Sequence, residues 1–164
     1  MLVHLLTHGL FYTVIVNGYL FLVMLFTSPR VWGYADYSDA IKEKVLPQTK
    51  QEKRLAILIA VPWMIFSVGF PVYSTISLKA KLGGEISFWL AFINVFVMVF
   101  LAVLGDVLFL DWLIVSKITP EFVIIPGSEE ADYKDFSYHY KAHLRAVLPL
   151  IVGCVLLAGI AWAI

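Results

Sequence analysis

The chain has 164 residues, 61% of them hydrophobic and only 15% charged, with a formal net charge of zero. Soluble domains are nearer half apolar and a quarter charged, so the composition argues against an ordinary water-soluble domain and points to the bilayer. A neutral chain without a basic, aromatic-interleaved patch gives no nucleic-acid partner, and the absence of a glycine-rich phosphate loop speaks against ATP-driven work.

Four apolar stretches predict four helical spans, at approximately 2–26, 52–78, 87–113 and 142–164. Each is close to the roughly 20 residues that carry a helix across about 30 Å of hydrocarbon. The expected fold class is therefore all-α: a single four-transmembrane-helix bundle over residues 1–164, with short interfacial helices in its two longer loops. Span one has no Lys or Arg before it, and Thr27-Ser28-Pro29-Arg30 is a poor cleavage site, so it reads as a retained helix. Residues 36–46 suggest a short surface helix. Thr49-Lys50-Gln51-Glu52 is a capping box that should start span two, which Pro62 and Pro71 should kink. Gly83-Gly84 makes the turn into span three. Ser128-Glu129-Glu130 looks like a helix start from which the chain is expected to run helically through His139 and His143 into span four. Asn17 and Asn94 lie mid-span and suggest an amide–amide bond between helices, and Gly159 with Ala163 suggests a close helix approach.

Charge gives the orientation. Arg30, Lys42, Lys44, Lys50, Lys53 and Arg54 follow span one, and Lys117, Lys134, Lys141 and Arg145 precede span four, whereas the connection between spans two and three has only Lys79 and Lys81. By the positive-inside rule, loops 27–51 and 114–141 are cytoplasmic and both termini lie outside, as in a multi-pass protein of the inner (plasma) membrane.

The same end gathers the residues that could carry chemistry. Asp135, His139 and His143 are spaced i, i+4, i+8 and would form one stripe on a helix. A histidine pair at i, i+4 can hold one metal ion, and a nearby carboxylate can complete or orient the site. Asp106 and Asp111 supply carboxylates at the end of span three. Five residues apart on an α-helix is about 140° of rotation, so the two should not face one ion unless the helix ends between them. The candidate ligands are thus His139, His143, Asp106, Asp135 and Asp111, and the candidate ion is a divalent transition metal (Zn, Fe or Cu). Haem is disfavoured, because two histidines on one helix face cannot take opposite axial positions. Cys154 is the sole cysteine, which excludes an intrachain disulfide or a thiolate cluster. His4 and His8 repeat the i, i+4 spacing at the other end and raise the question of a second metal or headgroup site. The competing account of the Asp/His group is structural, with Asp106 paired to Arg145 or Lys141.

Gly105-Asp106, Asp111-Trp112, Thr119-Pro120, Ile125-Pro126-Gly127, Tyr133-Lys134-Asp135 and His139, with Pro29-Arg30 and Trp32, resemble a group of small uncharacterised prokaryotic four-helix integral membrane proteins. The resemblance covers most of the chain and implies a four-helix fold without an established activity. Some sequences of that group carry a nitroreductase label. The residues here do not support it, because the mostly apolar chain has no soluble flavin-binding α/β domain.

Three functions compete at this level. One is a membrane metalloprotein acting on a lipid-soluble substrate. Another is a small oligomeric transporter or channel that uses Asp106 and His143 for proton or ion coupling. The third is an accessory or structural subunit. Membrane lipids and either a homo-oligomer or a partner membrane subunit are the expected partners.

Overall fold

The computed structural model describes Met1–Ile164 and contains helices and no β-strand. Its α-helices are α1 (Leu2–Phe26), α2 (Pro29–Trp32), α3 (Asp39–Lys44), α4 (Lys50–Lys81), α5 (Phe88–Gly105) and α6 (Ser137–Ala163). A π-helix, Asp106–Ile118, continues directly from α5. Two short 3₁₀ turns, Glu121–Val123 and Glu130–Tyr133, lie between it and α6. Four helical stretches, Leu2–Phe26, Lys50–Lys81, Phe88–Ile118 and Glu130–Ala163, are long and apolar enough to cross a membrane. The four alternate in direction, so both long connections lie at one end (the loop end). The Gly83-Gly84 turn, whose positive φ angles suit glycine, lies at the other with both termini.

Local chemistry explains the element boundaries. The Thr49 hydroxyl accepts from the Glu52 N–H while the Glu52 carboxylate accepts from the Thr49 N–H, completing the expected capping box. Arg30 then locks the start of α4 to α2: its guanidinium donates to both Glu52 oxygens, at 2.6 and 3.1 Å, and to the carbonyls of Leu46 and Pro47. Ser87 caps α5 by accepting from Leu90 N–H. Between Tyr133 and Ser137 the chain leaves the helix, contrary to the continuous helix expected there. Glu129 and Asp132 cap the 3₁₀ turn among themselves, and α6 starts afresh at Ser137.

The largest buried apolar cluster sits at the loop end and not mid-bundle. Tyr37, Ile41, Leu110, Val115, Val123, Ile125 and Tyr133 form its body, with Met24 of α1. The loops therefore close one end as a packed lid. Across the bundle, Ala91 and Val95 of α5 meet Cys154 and Ala158 of α6. The close approach uses these residues, while Gly159 has open space beside it. Asn17 and Asn94 do not bond each other. The Asn17 amide donates to the Ala102 carbonyl, and the Asn94 amide to the hydroxyls of Ser74 and Thr75. Both uses tie helices together, which is what a mid-span amide can do wherever a partner is in reach.

Candidate metal centre

The π-helix decides the site. Wound with i→i+5 hydrogen bonds, it brings residue 111 round to the same side as residue 106, where an α-helix would have set them about 140° apart. One ligand atom each from Asp106, Asp111 and His143 lie within 4.8 Å of one another. The expectation that the two aspartates face apart is corrected by helix type: no helix end intervenes, only a wider winding. The segment closes at Thr119, whose N–H reaches back to the Ile114 carbonyl at 2.8 Å and whose φ is +53°. A β-branched residue in that region is uncommon, and here the Thr119 hydroxyl is held by Val115 and Lys134.

The start of the π-helix is pressed against α1. A Cβ on Gly105 would come within 2.8 Å of Asn17 Nδ2 and 3.1 Å of Thr13 Cγ2, so a larger residue here would displace the Asn17 side chain from its present place. Asn17 thereby fixes the last turn of α5 immediately before Asp106.

His143 Nε2 lies 2.7 Å from Asp111 Oδ2 and 3.7 Å from Asp106 Oδ2. The other Asp111 oxygen is 3.4 Å from His139 Nδ1, so one carboxylate spans both histidines of α6. His139 is held edge-on between the rings of Tyr37 and Tyr138, with centroids at 6.4 and 5.7 Å. Asp135 stands apart from this group. The break before α6 takes it off the predicted stripe, and its carboxylate accepts from Ser137 N–H at 2.9 Å. Asp132 pairs with Lys44. Neither Arg145 nor Lys141 pairs with Asp106; His143 occupies that role.

The group forms one wall of a cavity of about 870 Å³ bounded by α1, α2, α4, the π-helix and α6. Eighteen of its 25 lining residues are hydrophobic. Asp36, Gln48 and Lys53 also line it, and sequence reasoning had not singled out Asp36. Asp36 is an exposed residue of the loop after α2 and lines the cavity. Burial, and after it the charge of Asp111, hold its carboxyl above the ordinary carboxylate range. A polar residue in a loop beside Tyr37 carries no periodic signal, so only the fold could bring it here.

At the opposite end, His4 and His8 stack on each other with centroids 3.8 Å apart. His4 Nε2 meets the Ser74 carbonyl and hydroxyl, and Lys81 Nζ lies 3.2 Å from His4 Nδ1. No carboxylate joins them, and a neighbouring ammonium opposes a cation. Comparison with known proteins returns no match, whether to a family model, a curated protein or a solved structure.

Chemically, two carboxylates and an imidazole are a donor set for a divalent first-row ion, with His139 placed behind Asp111 to orient it. In the metal-free geometry the short His143–Asp111 contact is a hydrogen bond whose proton an entering ion would displace. Haem gains nothing from this arrangement, because both histidines approach from one helix.

Proposed function

We propose that this chain is an integral membrane protein of the inner membrane whose Asp106, Asp111 and His143 bind a divalent transition metal ion at the cytoplasmic mouth of the bundle. The convergence of three ligand atoms within 4.8 Å on the wall of a mostly apolar cavity carries the reading. The charge asymmetry of the loops supports a cytoplasmic mouth with both termini outside. Membership of the group of small four-helix membrane proteins it resembles belongs to the same proposal. Asp106, Asp111 and His143 would hold the ion facing the cavity through which a lipid-soluble substrate would arrive, and the ion would supply Lewis-acid or water-activating chemistry there. Elemental analysis of the detergent-purified protein tests this directly. Near-stoichiometric zinc, iron or copper in the parent, absent from His143→Ala and from Asp111→Asn, is the expected result. Metal that persists unchanged in both variants would overturn it.

The 2.7 Å His143–Asp111 contact favours one second reading, a proton-coupled transporter in which this pair relays the proton. Proteoliposome flux that responds to pH in the parent and not in Asp111→Asn would select it, provided that neither form binds metal.

A further inference from the structure

The Asp/His group holds donor atoms that the ion of Asp106, Asp111 and His143 does not use. Asp111 turns its two carboxylate oxygens to different histidines. Oδ2 lies 2.7 Å from His143 Nε2, and Oδ1 lies 3.4 Å from His139 Nδ1. The first contact is a hydrogen bond. The second is longer than the roughly 2.7–3.2 Å of an N–H···O bond, and the His139 side chain takes part in no hydrogen bond. Only 12% exposed, it is held between the rings of Tyr37 and Tyr138 and lines the cavity. Its ring nitrogens are thus left for something within the cavity.

The 3.4 Å separation is a ligand spacing. Two donors about 2.0–2.2 Å from one tetrahedral ion stand about 3.3–3.6 Å apart. A histidine pair at i, i+4 can share a single ion, but these two address opposite oxygens of one carboxylate. A carboxylate so placed can bridge two ions, which in two-metal centres stand about 3.5–4 Å apart. A third ligand for the second position comes from the loop after α2. Asp36 is the one carboxylate lining the cavity besides Asp106 and Asp111. Its neighbour Tyr37 meets the His139 ring edge-on with centroids at 6.4 Å. The charges of Asp111, His139 and His143 all act on the Asp36 carboxyl, as expected of a group in their vicinity.

Resting on the metal-site reading above, we infer that the centre takes two divalent ions, with Asp111 bridging the ion of Asp106 and His143 to a second ion held by His139 and Asp36. Each ion then has three protein ligands and keeps a position open to the cavity, the pattern of catalytic rather than structural sites. The second ion binds more weakly. Asp36 lies on an exposed loop that must be ordered around it, whereas the ligands of the first ion all stand on helices. With only the first ion in place, His139 orients Asp111.

Equilibrium dialysis of the detergent-purified, chelator-stripped full chain against zinc counts the ions. The parent is expected to take up two zinc ions per protomer, the second more weakly than the first. Asp36→Asn, an isosteric change on an exposed loop, should keep the first ion and weaken the second by about tenfold or more. His139→Ala should bring the count to one and loosen the ion that remains. Loading with copper(II) adds the geometry. Two copper ions joined by one carboxylate give a spin-coupled electron paramagnetic resonance signal, which Asp36→Asn should return to that of an isolated ion. A single ion in the parent, lost in His143→Ala and indifferent to Asp36→Asn, would overturn the inference and leave the metal site standing. Two ions without spin coupling would overturn it as well, and so would a second ion that Asp36→Asn does not weaken. A parent that binds no ion defeats both readings at once.

Discussion

The two ends of the bundle carry the same sequence feature with opposite outcomes. His4/His8 and His139/His143 are both i, i+4 pairs on apolar helices. At the turn end the pair stacks on itself and faces Ser74 and Lys81. At the loop end each histidine meets a carboxylate of the π-helix, and Asp111 spans both. Spacing on one helix therefore sets only that two imidazoles point the same way. The facing helix decides whether they become ligands or a packed polar plug, and an ammonium and a carboxylate are opposite answers.

The sharpest way to break this contrast is to remove one carboxylate. Asp106→Asn or Asp111→Asn should weaken zinc binding by about a hundredfold or more in a competition titration, while His4→Ala/His8→Ala leaves it unchanged. Equal losses at the two ends would erase the distinction. His139→Ala should fall between these limits, weakening affinity by about 10–100-fold, as expected for a residue that orients a ligand. Asp135→Asn should not change it, since that carboxylate accepts from Ser137 N–H just before α6 and stands apart from the Asp106–Asp111–His143 group.

Titration of the loop end offers a finer probe. Because burial and Asp111 hold the Asp36 carboxyl above its ordinary range, ionising it opposes folding at any pH above that raised pKa. In metal-free protein, Asp36→Asn should therefore raise the melting temperature modestly at high pH. The gain should shrink as pH falls through the raised pKa and vanish below about 4, the ordinary carboxylate value. A gain that grows on acidification would contradict the assigned neighbours. At the turn end, Asn94→Ala should cost about 0.5–1.5 kcal/mol by equilibrium unfolding in detergent and leave metal binding intact, in line with hydrogen bonds between membrane helices. That is the smallest effect, and it would mark the turn end as structural.

Legibility in the sequence followed the range of the interaction. The Thr49–Glu52 capping box, the Gly83-Gly84 turn and the apolar lengths of the spans depend on residues a few positions apart, and each was readable. Asp135 was misplaced onto the histidine stripe because helical periodicity extends smoothly through 134–136, whereas the Glu129–Asp132 capping box starts a short 3₁₀ turn that stops at Tyr133, and α6 begins afresh at Ser137. Asp36 was missed because a loop carboxylate has no pattern of its own; Tyr37, buried against Tyr133 and Val123, is what carries it to the cavity.

By itself the sequence determined four helices long and apolar enough to cross a bilayer, their alternation, and the gathering of His139, His143, Asp106 and Asp111 toward one end. Hydrophobic length and local capping act along the chain, and they suffice for that much. Only the tertiary structure decided that Asp106 and Asp111 share a face. An i→i+5 winding leaves the same apolar sequence as an α-helix would, so the sequence pattern does not distinguish the two; in the structure the wider winding begins where Gly105 meets α1 and ends at Thr119, whose hydroxyl accepts from Lys134. The cavity was equally invisible beforehand, because its walls come from five separate elements whose meeting is a property of the fold and not of any one segment.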